Sequence, residues 1–195
     1  MNGIDITTMF STWHIIRAAG LTAYLLLFII SACGLLISLK LLPPAYRSPA
    51  MAIHKTASIS CVVFTVLHAL VLLVDEYAQF SLADLLIPFW ADDYGIELVT
   101  GILAIYSLLL ITIFAIPAIM KKVGNNVWRK AHYLALPGFW LALHHGVMAG
   151  TDTNAVGVMA LYIVTGTVMT VLCGLKAGRI LMKGRQTHEY SPCRR

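Results

Sequence analysis

The sequence predicts an all-α protein, a polytopic membrane bundle of five transmembrane helices. Hydrophobic residues make up 59% of the 195-residue chain and charged residues only 12%, well below the roughly 25% of a typical soluble domain. The mean hydropathy of +0.81 excludes a disordered chain, because disordered chains are polar. The apolar residues form continuous runs of the length that crosses a membrane, rather than the alternating pattern of a membrane barrel.

Five apolar runs define the predicted helices in order. They are residues 18–39, 56–74, 98–120, 131–150 and 155–175. The first ends at Pro43-Pro44, and Pro137-Gly138 interrupts the fourth, where the missing N–H of proline favours a kink. Residues 81–90 predict a short amphipathic helix at the membrane interface, which would form a lid over the outer site described below.

Charge placement predicts the domain organisation and orientation. We expect an outer segment 1–12, a membrane domain 13–182 and a basic tail 183–195; residues 1–13 contain no Lys or Arg, so we expect no cleaved signal peptide. Thirteen of the 14 basic residues fall on one side of the five-span topology, and only Arg17 falls on the other. The positive-inside rule places the N-terminus outside and the C-terminus in the cytoplasm. The net charge of +5 therefore indicates a multi-pass protein of the cell membrane and not a nucleic-acid partner.

Five of the seven histidines lie in the second and fourth predicted helices. His54 and His68 are 14 residues apart, and His132 precedes His144 and His145 by 12 and 13 residues. These spacings correspond to about 20 Å along a helix axis. Because the two helices run in the same direction, the spacings predict two histidine pairs at two levels of the membrane.

The pairs favour haem over zinc. Structural zinc requires four protein ligands, and neither level offers further Cys, Asp or Glu ligands. Haem iron requires only two axial ligands, so the sequence predicts two bound haems. Basic residues near the histidines would bind the haem propionates or simply flank the membrane. Near the inner, cytoplasmic level of His54 and His132 they are Lys55, Arg129 and Lys130, and near the outer level of His68 it is Arg17.

Ideal helix geometry leaves one ambiguity. At about 100° per residue, the step from His54 to His68 returns to nearly the same face, whereas the steps from His132 to His144 and His145 miss it by about 120° and 140°. A kink at Pro137-Gly138 would correct the rotation, but geometry alone does not choose between His144 and His145.

These motifs resemble the ferric reductase-like transmembrane domain shared by ferric reductases and NADPH oxidases. The matching features are H-x13-H from His54, H-x12-H from His132, the words R-K-A-H-Y and H-H-G-V-M-A-G-T-D, and coverage of residues 15–175. The resemblance implies two b-type haems, one bound by His54 with His132 and the other by His68 with His145. It makes His144 a neighbour or hydrogen-bond partner of the haem.

The resemblance also implies a function. Bis-histidine ligation favours electron transfer over chemistry at the iron, so we expect an oxidoreductase component that passes electrons to an external acceptor such as ferric iron. Family members often have six spans and a flavin- and nicotinamide-binding domain, whereas this sequence shows five runs and no G-x-G-x-x-G motif. We therefore expect a separate reductase or a quinol as the electron donor.

Two alternatives remain open from the sequence. One is a haem-bearing anchor that delivers quinol electrons to a separate extracytoplasmic enzyme. The other is a haem-free small transporter that uses its histidines as proton relays. Gly20 and Gly34, also 14 residues apart, would make room for two ring faces, although such glycines more commonly serve close helix packing.

Overall fold

The computed structural model describes residues 11–76, 78–91 and 95–189, with side chains up to residue 182. Within these residues every regular element is a helix, which confirms the predicted all-α class. The elements are α1 (Thr12–Ser38), α2 (Pro44–Leu72), α3 (Leu82–Leu86), α4 (Ile96–Ala115), α5 (Pro117–His132), α6 (Ala135–Ala149) and α7 (Val156–Glu189). The predicted outer segment 1–12 lies mostly outside the described residues. Residues 183–189 of the predicted basic tail continue α7, and residues 190–195 lie outside the described residues.

Four of the described helices are long and apolar enough to cross a membrane: α1, α2, α4 and residues Val156–Met182 of α7. The predicted fourth span, 131–150, corresponds to α6, which has 15 residues. At 1.5 Å per residue α6 is only about 22 Å long, shorter than the roughly 30 Å hydrocarbon layer. The protein is a multi-pass helical membrane protein, and the fifth span stays a prediction.

The predicted third run, 98–120, was too long. Helix α4 ends at Ala115 because Ile116 precedes a proline and adopts an extended conformation. Pro117 then begins α5, whose 16 residues alternate apolar positions with Lys121, Lys122 and other cations. Residues 121–130, which lie between two predicted spans, therefore belong to an amphipathic helix of the kind that lies in a membrane interface.

The predicted kink in the fourth run lies at Tyr133 and Leu134, one turn before Pro137-Gly138. Pro137 has no N–H to donate to the carbonyl of Tyr133, and the N–H of Leu136 donates to that carbonyl instead, at 3.2 Å. The N–H of Leu134 likewise donates three residues back, to Ala131, at 3.0 Å. Such tight winding turns by about 120° per residue, which adds rotation in the sense that the histidine spacing requires.

Helix α1 lies at the centre of the bundle and contacts α2, α6 and α7, while α4 packs against α5 and α6. The core between α1, α6 and α7 is aromatic: Tyr24 stacks on Phe139 with ring centroids 5.8 Å apart and meets Tyr162 edge-on at 5.1 Å. Phe139 is completely buried. The hydroxyl groups of Tyr24 and Thr165 are hydrogen-bonded at 2.5 Å, which links α1 to α7 within this core.

The predicted interfacial helix 81–90 is helical only over α3, Leu82–Leu86. Its N-terminus is closed by a capping box in which Ser81 and Asp84 exchange side-chain and backbone hydrogen bonds. The hydrogen bonds from the Ser81 side chain and backbone lower the pKa of Asp84. The hydroxyl of Tyr106 on α4 donates to the carbonyl of Leu86, so the short helix is tied to the bundle.

Candidate functional site

The structure brings four histidines into two pairs. His54 and His68 lie on α2, His132 is the last residue of α5, and His145 lies in α6. The ring centroids are 6.0 Å apart for His54 and His132 and 6.3 Å apart for His68 and His145. The 14 residues between His54 and His68 separate the two levels by about 21 Å along α2.

These distances fit one metal ion held between each pair of rings. A metal–nitrogen bond is about 2 Å long, and each nitrogen lies about 1.1 Å from the centre of a ring with bonds near 1.33 Å. Two imidazoles that bind one iron from opposite faces should therefore have centroids about 6.2 Å apart. Both observed separations agree with this value.

Three of the four rings are oriented by a helix carbonyl. The Nδ1 atoms of His54, His68 and His145 are hydrogen-bonded to the carbonyls of Ile30, Ile16 and Glu97, at 3.0, 2.9 and 2.8 Å. A carbonyl acceptor requires the proton on Nδ1, which leaves Nε2 as the free lone pair. Histidines that bind metals are commonly oriented in this way.

Glycines allow these rings to reach the helix backbone. A Cβ atom at Gly20 would lie 2.9 Å from Nδ1 of His68, and one at Gly101 would lie 2.7 Å from Nδ1 of His145. At Gly34 the corresponding distance, to Cε1 of His54, is a looser 3.5 Å. Gly20 and Gly101 therefore make room for imidazoles, whereas an alanine at Gly34 would still fit at an ordinary contact distance. In all three cases the accepting carbonyl lies four residues before the glycine.

His132 is held differently. Its Nδ1 atom is buried and has no hydrogen-bond partner in the described part of the chain. Its ring instead stacks on Trp128, one turn earlier in α5, with centroids 5.3 Å apart and planes 24° apart. One ring of the His54–His132 pair is therefore oriented by a stack rather than by a helix carbonyl.

A cavity of about 500 Å³ surrounds the second pair, and its lining includes His68 and His145 but neither His54 nor His132. This volume lies in the range of cofactor pockets. The α2–α4 connection contributes Ala78, Phe80 and Leu85 to the wall. It is anchored to α1 because the hydroxyl of Thr12 donates to the buried carboxylate of Asp75 at 2.6 Å.

Arg17 lines the same cavity, but its guanidinium is paired with Asp152 in the α6–α7 loop. Its Nε donates to Oδ2 of Asp152 at 2.6 Å, and its Nη2 donates to Oδ1. Both side chains are about one-third exposed. The three basic residues predicted near the other pair, Lys55, Arg129 and Lys130, are exposed, and Arg129 donates to the side chain of Asn126 at 2.5 Å.

His144 does not face the pairs in the way that His145 does. Its Nδ1 is hydrogen-bonded to the hydroxyl of Thr100 on α4 at 3.1 Å, and that hydroxyl also donates to the carbonyl of Glu97 at 2.9 Å. His145 accordingly meets His68, while its neighbour meets α4. The structure thereby selects His145 as the histidine that shares a level with His68.

The set of donors fits haem iron better than zinc. Among the described residues no group of three or more His, Cys, Asp or Glu side chains is placed to hold a metal ion, and structural zinc usually requires four ligands. Haem iron completes its coordination with two axial ligands, because the porphyrin supplies the other four. Each histidine pair offers that number.

Sequence reasoning missed two residues of this site, Gly101 and Trp128. Gly101 faces a histidine on another helix, so no periodicity within its own run could reveal it. Trp128 lies four residues before His132, the spacing of neighbours on a helix surface. This spacing becomes informative only once residues 121–130 are known to be helical, and the sequence predicts no span there.

The fold and site define a multi-pass helical membrane protein with paired intramembrane histidines. The family described as "Ferric reductase like transmembrane component" matches residues 18–148, which is about two-thirds of the chain, and the protein belongs to that family. Comparison with curated proteins and with solved structures gave no match. Domains of this family generally bind haem, and membership indicates a membrane redox component.

Proposed function

We propose that the protein is a transmembrane cytochrome with two b-type haems, which carries electrons from a cytoplasmic reductase or a quinol to an external acceptor such as ferric iron. His54 with His132 would hold one haem iron, and His68 with His145 the other. When bound, haem supplies one-electron redox chemistry at each level. The observation that carries this proposal is the pair of ring separations, 6.0 and 6.3 Å, at two levels of one bundle.

The arrangement supports transfer across the membrane rather than chemistry at one surface. The levels are about 21 Å apart along α2, a large part of the roughly 30 Å hydrocarbon thickness. Each haem iron would be held by two histidines, which would favour electron transfer over binding of a substrate to the metal. We further propose that the N-terminus lies outside the cell membrane, with the His54–His132 pair on the cytoplasmic side.

The remaining side chains have positioning roles in this proposal. The carbonyls of Ile16, Ile30 and Glu97 orient three imidazoles and increase their basicity as ligands. The Ala78–Leu85 wall covers the cavity at the His68–His145 pair and limits the access of water. Arg17 is the cation nearest that cavity, and a propionate there would share it with Asp152.

The test is haem content in the purified protein. We expect oxidised and dithionite-reduced spectra of the b type and two haems per chain by pyridine haemochrome quantification. Alanine changes at His54, His68, His132 or His145 should each reduce this content. The matched control is H14A, because His14 is hydrogen-bonded to its neighbour Ser11 and lies outside both pairs.

Two other results would point elsewhere. A content of one haem per chain would leave no continuous electron path across the membrane and would favour the quinol-linked anchor. A well-folded protein without haem, expressed with ample haem supply, would refute the proposal and favour the transporter.

A further inference from the structure

The two histidine pairs are not equivalent. His54, His68 and His145 each direct Nδ1 to a helix carbonyl and pack against a glycine. His132 has neither feature in the described part of the chain, and its buried Nδ1 has no partner. Loss of such an orienting partner typically weakens metal binding by about 10–100-fold. The bundle therefore contains three firmly oriented ligands and one that lacks this support.

Trp128 takes the place of the missing partner. It precedes His132 by one helical turn, and the two rings are stacked at 5.3 Å with an interplanar angle of 24°. Stacking restricts the tilt of the imidazole, but unlike a hydrogen bond it does not fix which nitrogen carries the proton. It also leaves the ring free to slide within its own plane.

The backbone around His132 is also interrupted on both sides. Gly124 has non-helical dihedral angles, φ 78° and ψ 160°, inside α5. The tight turn at Tyr133 and Leu134 then separates α5 from α6. His132 and Trp128 thus share a short helical segment between two breaks, whereas His54 and His68 lie within the 29 continuous residues of α2.

We propose that Trp128 is the positioning residue for His132, and that His132 is the one exchangeable axial ligand of the four. The inference rests on the proposed haem binding. It assigns a small-molecule binding position to the iron on the His132 side of the His54–His132 level, where carbon monoxide would compete with the imidazole. The His68–His145 level, with both rings anchored, would resist the same competitor.

The first experiment titrates the dithionite-reduced wild-type protein with carbon monoxide and records difference spectra. We expect the reaction to saturate at half of the total haem, because only one of the two irons has an exchangeable ligand. Reaction of all the haem in a single phase, or of none at saturating carbon monoxide, would overturn the inference.

Variants then test whether the haem that reacts with carbon monoxide is the one whose ligand His132 stacks on Trp128. In W128L we expect the affinity of the reactive haem for carbon monoxide to rise by at least tenfold, with loss of its low-spin signal in electron paramagnetic resonance. W128F retains an aromatic ring, so its affinity for carbon monoxide and its low-spin signal should match those of the wild type. The matched control is W140L, because the Trp140 ring contacts Phe139 edge-on at 5.4 Å and, among the described residues, stacks on no histidine. Equal responses of W128L and W140L would refute the positioning role.

The outcomes separate this inference from the proposed function. Wild-type protein without haem would refute both. Wild-type protein with two haems, neither of which reacts selectively, would leave the cytochrome proposal intact and overturn the inference alone. If W128L does not fold, W128M replaces it, because methionine also removes the aromatic ring beside His132 while keeping a long apolar side chain. The half-saturation of the wild-type protein tests the exchangeable ligand independently of any variant.

Discussion

Replacement of Gly101 by alanine should selectively weaken haem binding between His68 and His145. The added Cβ would lie 2.7 Å from Nδ1, 2.9 Å from Cε1 and 3.1 Å from Cγ of His145. Since comfortable heavy-atom contacts begin near 3.5 Å, the imidazole must retreat by about 0.8 Å. Its 2.8 Å hydrogen bond to the carbonyl of Glu97 would then lengthen beyond the usual hydrogen-bond range.

The magnitude follows from the lost orientation. An outer partner of a metal-bound histidine is typically worth about 10–100-fold in affinity, so G101A should release one of two haems during purification or dilution. G20A, where the Cβ would meet Nδ1 of His68 at 2.9 Å, should act at the same level. Alanine is otherwise favoured over glycine inside a helix by about 0.5–1 kcal/mol, so a loss of haem would not reflect poorer helix formation.

Two further glycines provide controls within the same chain. At Gly34 the new Cβ would meet His54 at an ordinary 3.5 Å, and at Gly174 it would meet nothing within 4 Å. Both variants should retain two haems per chain by pyridine haemochrome quantification and the wild-type rate of haem transfer to an apo-acceptor protein. If G101A matched these controls in content and rate, the proposed role of the glycine would be refuted.

Three other predictions follow from named contacts. H145A should lose one haem while H144A keeps both, because only the former side chain faces the other histidine of its level; equal haem content in the two variants would contradict this. R17Q should weaken haem retention and D152N should not, because Arg17 lines the cavity, whereas its ion pair with Asp152 is exposed and worth about 1 kcal/mol or less. Equal losses of haem from the two variants, measured as the haemochrome, would show that the ion pair and not the arginine charge supports haem retention. S81A should raise the lowered pKa of the Asp84 carboxyl towards its ordinary value. Because the pKa of Asp84 is depressed in the folded protein, the cap stabilises α3 at pH values above the unfolded pKa, and this stabilisation is lost as the pH falls through the folded pKa. NMR of the carboxyl carbon would measure both effects.

The sequence predicted the features that depend on one helix at a time. The apolar runs identified α1, α2, α4 and α7, and the 14-residue step placed His54 and His68 on one face of α2. The structure brings together the histidines that the spacing assigned to one level, while their role as ligands stays a prediction. Features at the junctions between elements were not predicted. The basic residues in 121–130 interrupt the apolar pattern, so the sequence predicts no helix there, whereas the structure places these residues in α5.

The choice between His144 and His145 shows why contacts between helices could not be predicted from the sequence. An ideal helix through residues 132–145 points neither side chain correctly, and the answer depends on the tight turn at Tyr133 and Leu134. That turn follows from the missing N–H of Pro137, but the amount of rotation depends on how α6 packs against α1 and α4. Such packing is a property of the assembled bundle and leaves no pattern in a single run.

The division of the bundle into helix pairs has a consequence for assembly. Helix α2 packs chiefly on α1, and α6 packs chiefly on α4, so each level receives one histidine from each half of the protein. The two halves meet at the imidazoles as well as through the aromatic core between α1 and α6, and a haem bound between the rings would add a second connection between them. Binding to the assembled form stabilises it by mass action, so under the proposed function the contact between the two halves would become more stable as haem supply rises.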